Sequence, residues 1–352
     1  MRRSRKSTVD VVIPCYRYGS VLPTAVRSVL DQPGVDVRVL VIDDASGDGS
    51  AEVARDLAEA DSRVEVLEHR ENKGHIATYN EGLLDWAKAD YSVLLSADDA
   101  LTPGALRRAT ALLDAHPEVG FAYGRPLHWD GSMPLPYART QGNGWTIYDG
   151  TSWLRRRFAV ADGCITSPEV VVRTQLQQSV GGYDPELRHT GDIEMWMRMA
   201  LHADVGYLRG VDQAYYRVHG NNMSAAYYAS GVADLRQRLA AYTALLRRAD
   251  KLLPEQGEWD RKVRRVLARD ALRRAGRAYD KGQVDEHPVD ELVEFAREAT
   301  GDLTSLPEWH TLKFRQWLGQ RRASALRPLV LTAAARRVRR ELRVKRWERS
   351  GV

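Results

Sequence analysis

Val37-Arg38-Val39-Leu40-Val41-Ile42-Asp43-Asp44-Ala45-Ser46-Gly47-Asp48-Gly49-Ser50 passes from a β-branched apolar run into two adjacent carboxylates and a glycine-rich turn. Helical spacing follows from Ser50 to Ala60, so the stretch reads as strand, turn and helix. The same unit recurs on both sides of it. Val9 to Ile13 precedes a helix over Val21 to Leu30, Val64 to Leu67 precedes one over Ile76 to Trp86, and Tyr91 to Leu95 precedes one over Pro103 to Ala115, where Pro103 suits a first turn. This alternation predicts an α/β fold, a mainly parallel Rossmann-like sheet flanked by helices, with ligands gathered outside the C-terminal strand ends.

Farther along, Gly124 to Tyr148 is rich in Gly, Pro and aromatic residues without periodicity, which predicts a long loop or lid over a site. From about Ala225 the composition shifts to Ala, Leu, Arg and Glu with helical spacing. Two domains are expected, residues 1–224 binding the ligand and residues 225–352 forming a helical C-terminal region with a basic tail.

Apolar residues make up 43% of the 352 and charged residues 28%, a balance that builds a globular core and excludes disorder. No apolar run reaches the roughly 20 residues needed to span a bilayer, and the basic start Met1 to Lys6 leads into a strand rather than a signal-peptide core. Cys15 and Cys164 form no CxxC pair and read as buried small residues in a reducing cytoplasm. Net charge is +5, but Arg321 to Val352 holds eleven Arg or Lys against Glu341 and Glu348. That end seeks anions: it reads as a solvated helix face, as a peripheral contact with anionic membrane, or as a protein or nucleic-acid contact, nucleic acid being the least favoured partner.

The polar residues after each strand carry the candidate chemistry. Asp98 and Asp99 suit Mg²⁺ or Mn²⁺ bridging a diphosphate, or else cap the helix near Pro103. Asp43 and Asp44 can accept protons from a base or ribose, or simply shape the turn. Asp192, ahead of a helix over Ile193 to Arg198, is either a general base kept ionised by the helix dipole or an N-cap. Arg217 could hold phosphate, and His219 either ligates metal or packs.

Taken in order, Val11-Val12-Ile13-Pro14-Cys15-Tyr16, the Asp43-Asp44 run, Asn72-Lys73-Gly74 with Asn80, Leu94-Leu95-Ser96-Ala97-Asp98-Asp99, Gly181-Gly182-Tyr183-Asp184 and Gly191-Asp192 resemble family 2 glycosyltransferases of the GT-A fold. The resemblance covers Val9 to Ser224. It implies an inverting transfer from a nucleotide sugar, commonly a UDP-sugar, to an acceptor hydroxyl in polysaccharide, lipid-linked glycan or natural-product synthesis. Pro14, Tyr16, Asp43, Asp44, Asn72, Lys73, Gly74, Asn80, Ala97, Asp98 and Arg217 would then contact the donor, Asp98, Asp99 and His219 the metal, and Asp192 would be the base. Two positions depart from the family pattern: Ser96 begins the metal motif in place of Asp, and Gly191 precedes the base in place of an acid. Gln213 and Arg217 lack the Gln-x-x-Arg-Trp spacing of processive members, so one sugar per encounter is expected. The competing readings are a non-catalytic nucleotide-sugar-binding protein, for which Ser96 speaks, and a sugar nucleotidyltransferase, against which the missing Gly-rich phosphate loop after Ile13 speaks.

Overall fold

The computed structural model describes residues 5–163, 165–220, 231–249, 252–325, 341–342 and 345–352. Cys164, Asn221 to Ser224 and much of the basic tail, from 326 to 340, lie outside the described residues.

The first half follows the alternating pattern: β1 (Thr8–Cys15), α1 (Leu22–Leu30), β2 (Asp36–Asp43), α2 (Ser50–Ala60), β3 (Val64–Glu68), α3 (His75–Asn80) and β4 (Tyr91–Leu94). Strands β3, β2, β1 and β4 are hydrogen-bonded in that spatial order and all run parallel. The side chains of Val9, Val11, Ile13, Val39 and Val41 are fully buried in one core cluster, as continuous Val and Ile runs require when helices cover both faces. Because β2 and β4 flank β1 on opposite sides, the order of the sheet switches there. The C-terminal ends of β1 and β4 are therefore where a ligand crevice is expected.

The second half is mixed rather than parallel. It continues through β5 (Ala100–Leu101), α4 (Ala105–Ala115), β6 (Val119–Trp129), β7 (Trp145–Tyr148), α5 (Gly150–Val160), β8 (Val170–Arg173), α6 (Thr174–Val180), α7 (Gly191–Met199) and β9 (Asp204–Arg217). Strand β8 lies antiparallel between β4 and β6, β9 runs parallel to β6, and β5 and β7 pair antiparallel with β9.

Two expectations change here. The segment Gly124 to Tyr148 is not one loop, because β6 extends to Trp129 and β7 begins at Trp145. Trp129 packs with Tyr215 and Ala138, which gives that stretch a small core of its own. The helix expected over Ile76 to Trp86 is α-helical only to Asn80 and continues as a π-helix over Glu81–Trp86. At Gly82 it runs so close to β1 that an added Cβ would stand 2.3 Å from Val12 Cγ1.

The chain divides into two compact units, residues 1–153, 164–219 and 348–351 forming one and residues 154–163, 220–347 and 352 the other. The second is helical, with α8 (Val232–Arg248), α9 (Gln256–Lys281), α10 (Val289–Thr300), α11 (Pro307–Leu318) and α12 (Gln320–Ala325). Its interior holds an ionic knot in which Arg274 Nη2 reaches the buried Asp234 carboxylate at 2.6 Å. Among the described residues, no helix is long and apolar enough to cross a membrane.

Candidate active site

At the end of β2 the two adjacent carboxylates do different work. Asp43 accepts the Ser46 backbone N–H at 3.0 Å and the Ser46 hydroxyl at 2.5 Å, closing the turn. Asp44 accepts the Lys73 and Gly74 backbone N–H groups at 2.8 and 2.9 Å and lies 2.7 Å from His69 Nδ1. Burial works against its charge, but the His69 contact and the two N–H bonds outweigh it and hold the carboxyl below its ordinary range. Asn72 Nδ2 donates to the Asp44 carbonyl at 3.0 Å, so Asn72, Lys73 and Gly74 wrap around Asp44 as one pocket wall. The far ring nitrogen of His69 lies 3.0 Å from Glu81, which Lys73 Nζ also reaches at 3.0 Å. Neither aspartate caps α2: the cap position is Gly49, and Asp48 binds the Ser50 amide instead. Tyr16, half-exposed, and Pro14 stand on the neighbouring end of β1, with the Arg17 guanidinium 5.0 Å from the Tyr16 ring centre.

Beyond β4, Ala97 is buried, and Asp98 and Asp99 point apart. Asp98 Oδ2 lies 2.9 Å from His219 Nε2, and both side chains keep partial exposure. Asp99 is buried and accepts the Arg217 backbone N–H at 2.8 Å. Burial and the Asp98 charge push its carboxyl well above the ordinary range. Arg217 Nε donates to the Asp98 carbonyl at 3.1 Å while its guanidinium lies 4.3 Å from the Trp129 ring centre. The end of β9 therefore braces the Asp98-Asp99 turn. The helix-capping alternative falls away, since Gly104 occupies the cap position of α4 without a side-chain cap bond.

Asp192 is the second residue of α7, whose cap position is Thr190. Its Oδ1 accepts the Ile193 N–H at 2.8 Å. Burial dominates its surroundings and pushes the carboxyl up to about 6, although its side chain retains some surface exposure. A carboxylate with that value is still ionised at neutral pH and is a better proton acceptor than an ordinary Asp.

Asn80, expected among the donor contacts, binds the Tyr183 backbone. Its Nδ2 donates to the Tyr183 carbonyl at 2.9 Å and its Oδ1 accepts the Tyr183 N–H at 2.6 Å. A Cβ added at Gly191 would stand 3.7 Å from Ile76 Cδ1, and His75 Nε2 lies 3.0 Å from the Arg188 carbonyl. Helix α3 is thus the wall against which the Asp192 loop is set.

Tyr79 and Glu169 escaped the sequence reading, and Tyr183 entered it only as part of a motif. Tyr79, on the same helix, packs edge-on against Tyr183 with ring centres 5.5 Å apart. Burial raises the Tyr79 phenol pKa, and the negative charges of Asp192, Asp98 and Asp99 add to the rise, which puts one hydroxyl in the field of all three carboxylates. Tyr183 has a buried hydroxyl without a hydrogen-bond partner among the described residues. Glu169, just before β8, accepts the Thr166 N–H and hydroxyl, each at 2.7 Å, and burial pushes its carboxyl up to about 7. Only position after a turn could have flagged Glu169. Nothing local marks Tyr79.

Among the described residues, no group of three or more His, Cys, Asp or Glu side chains converges to hold a metal ion. Asp98 and His219 nonetheless supply two adjacent, partly open donors of the kinds that take Mg²⁺ or Mn²⁺ when diphosphate and water oxygens complete the shell.

A parallel half-sheet with carboxylates at its switch point, followed by a mixed half carrying a further acid on a helix start, defines the GT-A glycosyltransferase fold. Residues 10–165 match the family model described as glycosyl transferase family 2. A Mycobacterium tuberculosis protein described as uncharacterized is 26% identical over 211 residues, covering 58% of this chain and 65% of its own length, just under two thirds. Among solved structures, S. aureus TarS 1-349 in complex with UDP-GlcNAc superposes with TM-score 0.60 at 15% identity, covering 88% of this chain and 91% of that one. The mannosyltransferase PcManGT from Pyrobaculum calidifontis, in complex with GDP-Man and Mn²⁺, does so with TM-score 0.54 at 17% identity, covering 95% and 88%. At these identities the two structures speak for the fold.

Proposed function

We propose that this chain transfers one sugar per encounter from a nucleoside-diphosphate sugar, of the UDP-sugar class, to an acceptor hydroxyl with inversion at the anomeric carbon. The observation that carries the reading is the placement of Asp192: released from capping, tuned up to about 6, and sharing the field at the Tyr79 hydroxyl with Asp98. Asp44, with Asn72, Lys73 and Gly74, forms the wall for the base and ribose, beside Pro14 and Tyr16. Asp98 and His219 would hold the divalent metal, which when bound supplies positive charge to the departing diphosphate.

In the transfer step the acceptor oxygen forms its bond to the anomeric carbon as its proton passes to an Asp192 oxygen. The bond from that carbon to the diphosphate breaks on the opposite face, and its electron pair leaves with the terminal phosphate oxygen. Asn80 and α3 hold the base in place, and the partly buried Tyr79 ring with the buried Tyr183 ring excludes water from its side. The acceptor class is surface polysaccharide, lipid-linked glycan or a small natural product, and the basic stretch from Arg321 onward would bring the protein to anionic membrane on its cytoplasmic side.

Release of nucleoside diphosphate from a panel of UDP-, GDP- and dTDP-sugars, with Mn²⁺, with Mg²⁺ and with chelator, tests the reading. A donor that stabilises the fold but is never turned over with any acceptor preparation would instead identify a binding protein.

A further inference from the structure

Helix α11 carries its largest apolar side chains on the wrong side. Leu312 is its buried residue, whereas Phe314 and Trp317 are 57% and 79% exposed. At about 100° per residue both stand opposite Leu312. Their rings stack with centres 5.9 Å apart and 27° between planes, so they form one apolar plate rather than two scattered residues. A surface helix ordinarily turns its apolar stripe inward, and this one has a second stripe facing out.

Cationic residues flank the plate in the sequence. Lys313 Nζ lies 4.6 Å from the Trp309 ring centre on the adjoining face. Immediately beyond Gly319, α12 exposes Arg321 and Arg322, which form no ion pair with any described residue. The acid of α11 is already neutralised, because Glu308 is held by Arg269 at 2.9 Å and by Arg273 at 3.6 Å. Arg315 is likewise paired with Asp280, at 2.7 Å. What faces outward is aromatic and cationic, and the sequence from Arg321 to Val352 continues with the same sign.

We propose that this face is a docking surface for an anionic lipid bilayer, with Phe314 and Trp317 entering the headgroup layer and Lys313, Arg321 and Arg322 meeting lipid phosphates. Charge complementarity selects this occupant. Indole and phenyl rings beside Lys and Arg match an interface that is apolar below and anionic above. The inference deepens the membrane contact read from the basic stretch by naming an aromatic anchor just ahead of it, and it is independent of the transfer reaction.

Co-sedimentation of the full chain with phosphatidylcholine vesicles, with and without phosphatidylglycerol, tests it. Wild type should pellet with the anionic vesicles and be released by salt. A Phe314→Ser/Trp317→Ser variant should bind them about tenfold more weakly or worse, as should Lys313→Gln/Arg321→Gln/Arg322→Gln, both with unchanged thermal melts. A tail variant, Arg336→Gln/Arg337→Gln/Arg339→Gln/Arg340→Gln, separates the two readings. Loss of binding in that variant with full binding in the aromatic one would overturn the proposal and leave the tail as the contact. Absence of wild-type binding would overturn both. If the aromatic variant binds vesicles like wild type but sediments as a smaller species without them, the plate joins copies of the chain and the proposal also fails.

Discussion

Asn80 grips the backbone of Tyr183 from both sides, donating from Nδ2 to the carbonyl and accepting the amide on Oδ1, across 103 residues of sequence. The grip is tight enough that a Cβ on Gly182 would stand 2.5 Å from Asn80 Oδ1. It couples α3, whose N-terminus adjoins the Asp44 pocket, to the loop that delivers Asp192.

Asn80→Ala removes both bonds and frees that loop. We expect kcat to fall about tenfold or more, since small displacements of a positioned group are costly, with the donor Kd changed far less. Single-turnover rates alongside donor titration would measure the split; a change confined to Kd would return Asn80 to the donor site.

Asp192→Asn should lower kcat by roughly 10²- to 10⁴-fold. In the wild type, a base at about 6 requires activity to fall as pH drops through that value, giving an acid limb in the pH profile that the Asn variant lacks. The folded carboxyl sits above its ordinary 3.8, so the folded state binds the proton more tightly than the unfolded one. Its stability penalty therefore grows as pH rises from 3.8 to about 6 and is constant above that, amounting to at most roughly 3 kcal/mol. The Asn variant should melt higher than wild type at pH 8 and equally at pH 3. A lower melt at pH 8 would contradict a desolvated carboxylate.

His219→Ala removes the partner 2.9 Å from Asp98 Oδ2. The Mn²⁺ concentration for half-maximal activity should rise about tenfold or more, while Tyr18→Phe, which loses only the 3.4 Å contact to His219 Nε2, should shift it less. An unchanged metal requirement in His219→Ala would assign the histidine to packing.

Gly82→Val places side-chain atoms where Val12 and Ile42 already sit. Destabilisation of about 1–3 kcal/mol from overpacking is expected, read as a lower denaturation midpoint. A neutral effect would mean that the π-helix over Glu81–Trp86 moves off β1.

The order of elements in the first half and the identities of Asp44, Asp98 and Asp192 were determined by the sequence alone. Strand runs, helix spacing and turn residues are local, and the strand-end acids inherit their position from them. Which role each acid takes was decided by tertiary structure. Asp43 and Asp44 are neighbours in the chain, yet one closes a turn and the other meets His69 and the Lys73-Gly74 amides, contacts made across about 25 to 30 residues. Tyr79 carries no local mark, because its surroundings come from distant elements. Asp192 acquires its character the same way: a helix start predicts an ionised carboxyl, and packing adds the desolvation that pushes it up to about 6.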